Sequence, residues 1–189
     1  VMVNDDIDIL TNGWDTFVRK IHARHPDGIY LAYPDDLYKR KPTFPIISRK
    51  CAEILQDPYP TEYLGAFIDT HLVDIFRRIE QKGFNRIHFL DNVQFEHRHY
   101  RAGKSAPDPT YLIRPRFNGD RTFASLIDKR VDQAKALISE IKNEPMSLRE
   151  RYSRRCPKAI GPKILFVIRN IALDSSLPSR WRNYITAFL

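Results

Sequence analysis

Cysteine is scarce. The 189-residue sequence has two, Cys51 and Cys156, too few for a disulfide framework and without the spacing of a metal-binding cluster. A reducing compartment is therefore expected, and with it a cytoplasmic location. No apolar run approaches the ~20 residues that a spanning helix requires, so hydropathy offers no transmembrane segment in this stretch. No internal repeat is present. What the chain does have is a globular composition, 42% hydrophobic and 29% charged, with 9 Tyr and 11 Phe. That is enough to bury a core and argues against disorder or a fibrous repeat.

Positive charge exceeds negative, 31 Lys and Arg against 23 Asp and Glu, giving a formal net charge of +8. The excess is concentrated at one end. From position 149 onward there are nine Lys or Arg and two acids, so this tail carries +7 and the preceding 148 residues carry +1. A near-neutral body without a Lys-rich groove or interleaved aromatics is unlike a nucleic-acid binder, and no nucleic-acid partner is expected. A basic, partly apolar tail suits either a helix packed on the body or a surface for anionic lipid.

Val1-Met2-Val3 reads as a buried strand entered in its middle, running into the acids Asp5, Asp6 and Asp8. The chain is therefore expected to be a piece of a longer protein. Asn12 and Asp15 are spaced like a capping box for a helix whose Trp14, Phe17, Val18 and Ile21 share a face. Residues 28–33 and 44–47 read as strands, and Ser48 as the cap of a helix carrying Cys51, Ile54 and Leu55. Residues 63–81 form an amphipathic helix ended by Gly83, with Leu64 through Ile79 along one side. Residues 86–93 read as a further strand, closing on Glu96-His97-Arg98-His99, and a polar loop with Gly103 and Lys104 follows. Asp120 is placed to cap a last helix carrying Phe123, Leu126, Ala134 and Leu137. Strands alternating with helices indicate an α/β layer structure. Pro145 divides the body, 1–144, from the tail, 145–189.

The chemistry-bearing residues cluster at strand ends. Asp6 and Asp8 lie two apart in an extended segment, so their carboxylates are expected on one side, where they can share a hard cation such as Mg²⁺ or Mn²⁺. His97 is a candidate third ligand through its neutral imidazole, with His99 in reserve. Lys104, on the loop beyond, suits a phosphate as a point charge. Asp69 follows an apolar approach, Phe67-Ile68, that strips water from a carboxylate and suits it to general-base work. Asp74 reads as a solvated partner of Arg77 or Arg78. Asp35 and Asp36, after Pro34, read as turn residues, with Asp36 a secondary candidate for holding an acceptor.

Taken in order, these features resemble a family. Asp5-Asp6-Ile7-Asp8, followed by Thr11 and Gly13-Trp14-Asp15, looks like the metal-binding DxD segment of GT-A-fold glycosyltransferases of the family 2 type. Gly65, Phe67, Ile68, Asp69 and Asp74 are similar to the region holding the acceptor-activating carboxylate in those enzymes. Phe95-Glu96-His97-Arg98-His99, then Gly103-Lys104 and Asp108, Thr110 and Tyr111, resembles the strand and loop that supply a metal-binding histidine. The match covers about residues 1 to 125. It departs at Ile68, where many relatives carry an acid, and in lacking the nucleotide-binding half that precedes the DxD in the family.

The resemblance implies a GT-A-like mixed-sheet fold, truncated at its N-terminus, with a mostly helical C-terminal tail. It implies inverting transfer of a sugar from a nucleotide-sugar donor to a saccharide or lipid-linked acceptor, dependent on Mn²⁺ or Mg²⁺, with full activity in the intact parent protein. Asp6, Asp8 and His97 would hold the metal, Asp69 would take the acceptor proton, and Asp5 and Lys104 would contact the donor. Peripheral association with the inner face of a membrane, where such acceptors are built, is expected of the tail. Two alternatives use the same residues differently: a metal-dependent nuclease or phosphohydrolase, and a catalytically inactive interaction module.

Overall fold

Short β-branched runs alternate with stretches of helical periodicity, and the result is a mixed α/β fold around a four-stranded sheet. The computed structural model describes residues 1–3, 5–38, 40–65, 67–106, 109, 118–145 and 160–173. These divide into two compact units. The first takes Val1–Pro58 and Asn85–Arg114, and the second takes the described residues of Tyr59–Phe84 and Pro115–Leu189. The boundary at Pro145, drawn on charge, falls inside the second unit.

In the first unit the strands are β1 (Ile7–Ile9), β2 (Leu31–Asp35), β3 (Ile46–Ile47) and β4 (Ile87–His97), in the spatial order β1-β4-β2-β3. β4 runs antiparallel to β1 and parallel to β2. Pro34 lies opposite Leu90 but Asp35 opposite Gln94, so residues 91–93 bulge out of the ladder. Proline has no N–H to give and suits such an interruption. Helix α1 (Trp14–Arg24) lays Trp14, Phe17, Val18 and Ile21 onto a core of Tyr30, Ala32, Phe44, Ile46, Leu90, Val93 and Phe95. Trp14 meets Phe95 edge to face at 5.4 Å, the geometry aromatic quadrupoles favour. Ser48 caps α2 (Arg49–Leu55) as its position implies: its Oγ accepts from Cys51 N at 2.9 Å and donates to Gly28 O at 2.6 Å.

Two local expectations for this unit are corrected. Val1 and Val3 are exposed and outside any strand, because the ladder to β4 begins only at Ile7, among the acids. The expected Asn12/Asp15 capping box does not form. Gly13, at φ 68°, stands at the N-cap without a side-chain bond, and Asp15 is ion-paired to Arg19 one turn on. Gly is the residue that adopts this left-handed backbone without a Cβ penalty.

The second unit is helical: α3 (Ile68–Glu80), α4 (Asn118–Ser125), α5 (Ile127–Lys142) and α6 (Ile160–Val167), with a π-helical turn over Ile168–Ala172. Leu72, Ile75, Phe76 and Ile79 of α3 are fully buried, as the periodicity predicts, but Leu64 precedes the helix and is exposed. Asp120 lies within α4 rather than capping it, and a break at Leu126 separates two helices where one was expected. α3 packs on α5, and between them runs a polar seam. Asp74 is buried, not solvated. Its Oδ2 accepts from Arg78 Nε at 3.0 Å and from Arg130 Nε at 2.6 Å.

His71, also fully buried, accepts or donates on both sides: Tyr63 Oη lies 2.9 Å from Nδ1 and Gln133 Oε1 3.0 Å from Nε2. Nε2 must donate to the Gln133 oxygen, which leaves Nδ1 to accept from the tyrosine. Burial, with the Arg130 charge adding to it, pushes the His71 pKa down to about 3. The folded imidazole therefore stays neutral while the unfolded one takes a proton below its ordinary value near 6.5. Stability from this residue is fully present above that value and is lost as pH falls from there toward about 3. Urea melts should show a loss of about 2–3 kcal/mol from this group between about pH 7 and pH 4.5. The His71→Gln variant should lose correspondingly less over the same interval. An identical acid loss in both proteins would assign the effect to other groups.

Candidate metal centre

The site is built by register. β1 meets β4 with Ile7 opposite His97, Asp8 opposite Glu96 and Ile9 opposite Phe95. Residues directly opposite in an antiparallel pair share a face, so Ile7 and His97 occupy one face and Asp8 and Glu96 the other. Asp6 stands just before the strand, tied by its carbonyl, which accepts from Arg98 N at 2.9 Å. From there its carboxylate reaches the His97 side: Asp6 Oδ2 is 3.2 Å from His97 Nε2.

That approach lacks hydrogen-bond alignment. Asp6 Oδ1 and His97 Nε2 are both buried side-chain atoms without a hydrogen-bond partner among the described residues. Buried polar atoms of native proteins are nearly always satisfied, so two orphans side by side call for a missing partner. His97 itself is 6% exposed and fixed on several sides. Its backbone N donates to Asp36 O at 3.2 Å, the Phe44 ring meets it edge-on at 5.2 Å, and His99 does so at 5.0 Å.

Asp8 is not brought to this pair. Its carboxylate is ion-paired with Arg98, and both side chains are well exposed. Among the described residues no three His, Cys, Asp or Glu side chains converge as a ligand set; the geometry gathers Asp6 with His97 and leaves Asp8 on the Glu96 face. There Lys104 Nζ lies 2.8 Å from Glu96 Oε1, and this hydrogen bond and charge hold the Glu96 carboxyl below its usual range. Lys104 thus folds back onto the sheet instead of trailing in solvent. Asp5 is exposed at the bend before Asp6.

The remaining candidates occupy other places. Asp36 is 1% exposed, and its carboxylate organises the following loop. Oδ1 accepts from Tyr38 N at 3.1 Å and Arg40 N at 2.7 Å, and Oδ2 accepts from Thr43 Oγ1 at 3.1 Å. This is the turn role, with the acceptor oxygens engaged by the chain itself. His99 stacks on Tyr100 at 4.8 Å and on Tyr38 at 6.3 Å. Asp69 lies in the first turn of α3, in the second unit, half-buried, with Oδ1 accepting from Thr70 N at 2.8 Å. Phe67, at the N-cap of that helix, has φ 74°. A bulky residue in the left-handed region carries backbone strain, of a kind that gathers at functional sites.

Sequence reasoning did not single out three contributors: Arg98 as the partner of Asp8, Glu96 as the anchor of Lys104, and Phe44 as the wall beside His97. Only the pairing of β1 with β4 could have revealed the first. Asp108, Thr110 and Tyr111 of the loop, and Arg151, Arg154, Arg155, Cys156, Lys158, Trp181 and Tyr184 of the tail, lie outside the described residues. The chain matches no protein-family model, no curated protein and no solved structure closely enough to establish a relationship.

Proposed function

We propose that the chain is the metal- and acceptor-binding part of an inverting GT-A-type glycosyltransferase, which moves a sugar from a nucleotide-sugar donor to a saccharide or lipid-linked acceptor. The observation that carries this reading is the meeting of Asp6 with His97 across the β1–β4 ladder. An acid from the DxD-like segment and the histidine of the later strand, far apart in sequence, stand 3.2 Å apart with unpartnered buried atoms. Asp6 and His97 would hold a divalent cation, which would meet the buried carboxylate and imidazole atoms that face each other there. The donor set, a carboxylate oxygen and a neutral imidazole nitrogen, suits Mn²⁺ and accepts Mg²⁺.

When bound, the cation supplies charge neutralisation for the diphosphate leaving group. The chain's own residues do the rest. Asp6 and His97 would hold the cation, with the Phe44 ring against the imidazole and the Asp36 carbonyl anchoring the His97 backbone N–H. Asp8 and Arg98 brace each other at the strand end, beside Lys104 and Glu96, where the lysine presents a positive charge for a phosphate. By the resemblance alone, Asp69, which belongs to the second unit, would take the proton of the acceptor hydroxyl. The acceptor oxygen forms its bond to the anomeric carbon as the bond from that carbon to the diphosphate oxygen breaks, with inversion, and the nucleoside diphosphate leaves with the electron pair.

The Asp69 role has a separable test. In the full-length protein Asp69→Asn should lower transfer by about 10²–10⁴-fold, the usual contribution of a positioned base. Donor affinity, measured by calorimetry on the same variant, should stay within about twofold. Unchanged transfer would reduce Asp69 to a helix-terminus residue, a role Asn fills almost equally well.

A further inference from the structure

Among the described side chains of α6, one is packed on the second unit and others are exposed. Phe166 packs against the cluster of Tyr63, Phe123 and Ala124. Leu165 is 68% exposed, Leu173 71%, and Ile164 and Ile168 between a third and two fifths. At about 100° per residue, Ile164, Leu165 and Ile168 fall on one arc of the helix, turned away from Phe166. Exposed Arg169 adjoins this stripe. Scattered surface leucines need no explanation, but four exposed aliphatic side chains within ten residues, three of them on one arc, do.

Charge identifies the occupant. The stripe lies within the part of the chain, from position 149, that has nine Lys or Arg and two acids. A second copy would bring like charge against like charge. Aliphatic rather than aromatic exposure gives no stacking platform for nucleobases. Trp181 and Tyr184, in the same stretch of sequence, are the residue types that favour a membrane interface. We propose that α6 and the turn after it dock on an anionic phospholipid surface, with Leu165, Ile168 and Leu173 entering the headgroup boundary and Arg169, with the other Lys and Arg of this stretch of sequence, pairing with lipid phosphates. This goes beyond the transfer reading and does not depend on it, since no donor, acceptor or metal takes part.

No helix among the described residues is long and apolar enough to cross a membrane, so the contact is peripheral and reversible. Each Lys or Arg close to an anionic surface contributes about fivefold in affinity, so a few give measurable binding. The test uses the full chain, free of added metal and donor, with vesicles of phosphatidylcholine alone and of phosphatidylcholine mixed with phosphatidylglycerol. Sedimentation should show binding to the mixed vesicles, little to the neutral ones, and a steep decline as salt is raised. The double variant Leu165→Ser, Leu173→Ser should bind the mixed vesicles at least about tenfold more weakly. Both positions are exposed, so its circular dichroism should match the parent. Arg180→Ser with Arg182→Ser should weaken binding by a similar order while leaving the aliphatic stripe intact. Equal binding to both vesicle types, no binding to either, salt-insensitive binding, or full binding by the leucine variant would each overturn the proposal. So would a dimer that forms through these leucines in the absence of lipid.

Discussion

Asp6→Asn and His97→Ala should each lower sugar transfer by about two to three orders of magnitude, the equivalent of ~3–4 kcal/mol of charge stabilisation at the leaving group. Both should also weaken Mn²⁺ binding, read directly by electron paramagnetic resonance on the protein without donor. Asp8→Asn should behave differently. Asp8 is engaged by Arg98 in an exposed pair, and such pairs contribute about 0–1 kcal/mol. Its loss should cost about tenfold or less in rate and leave Mn²⁺ affinity nearly unchanged. The ranking of the two acids is thus a measurable property of the β1–β4 register. Equal losses at Asp6 and Asp8 would mean that Asp8 leaves Arg98 for the cation in the working protein.

The second large effect is on stability. Arg130 and Asp74 are both fully buried, and the arginine is held on several sides. Nε donates to Asp74 at 2.6 Å, Nη1 donates to Phe123 O, and the guanidinium lies 3.6 Å from the centre of the Phe123 ring. Removing one partner of a buried ion pair costs about 3–5 kcal/mol where the other charge is left uncompensated, and Arg78, 3.0 Å from Asp74, offsets part of that here. Such a cost is a large share of the ~5–15 kcal/mol that stabilises a typical domain. Arg130→Ala should therefore unfold in urea at a much lower midpoint. The double variant Arg130→Met, Asp74→Leu should recover most of the loss, because two apolar side chains replace the fully buried pair. Arg78, which also contacts Asp74, bounds the recovery. If Arg130→Ala costs less than about 1 kcal/mol, the pair is not buried in solution.

Parts of this architecture are legible in the sequence because they are local. The face of Trp14, Phe17, Val18 and Ile21, the Ser48 cap, and the buried stripe of α3 follow from spacing that needs no knowledge of distant residues. What was not legible is non-local. Asp6 and Asp8 are two apart and share a face in an ideal strand. The strand begins at Ile7, however, which frees the Asp6 carboxylate to turn toward His97 while Asp8 stays beside Glu96. Arg130 sits in a helix full of charges, and nothing in its spacing marks it as buried. Its burial is visible only once α3 presents Asp74 to it across 56 residues of sequence. The same reason made Asp74 read as a surface residue: its partner Arg78, one turn away, was visible, but the burying helix was not.

The central claim is tested most directly by turnover. The full-length protein is incubated with a panel of nucleotide sugars and saccharide or lipid-linked acceptors, and released nucleoside diphosphate is measured with Mn²⁺, with Mg²⁺ and with chelator. The predicted result is release with at least one donor, stimulated by acceptor, abolished by chelator and lost in the His97→Ala variant. Release of nucleotide or phosphate from nucleic acid or phosphoesters, with none from any nucleotide sugar, would contradict it.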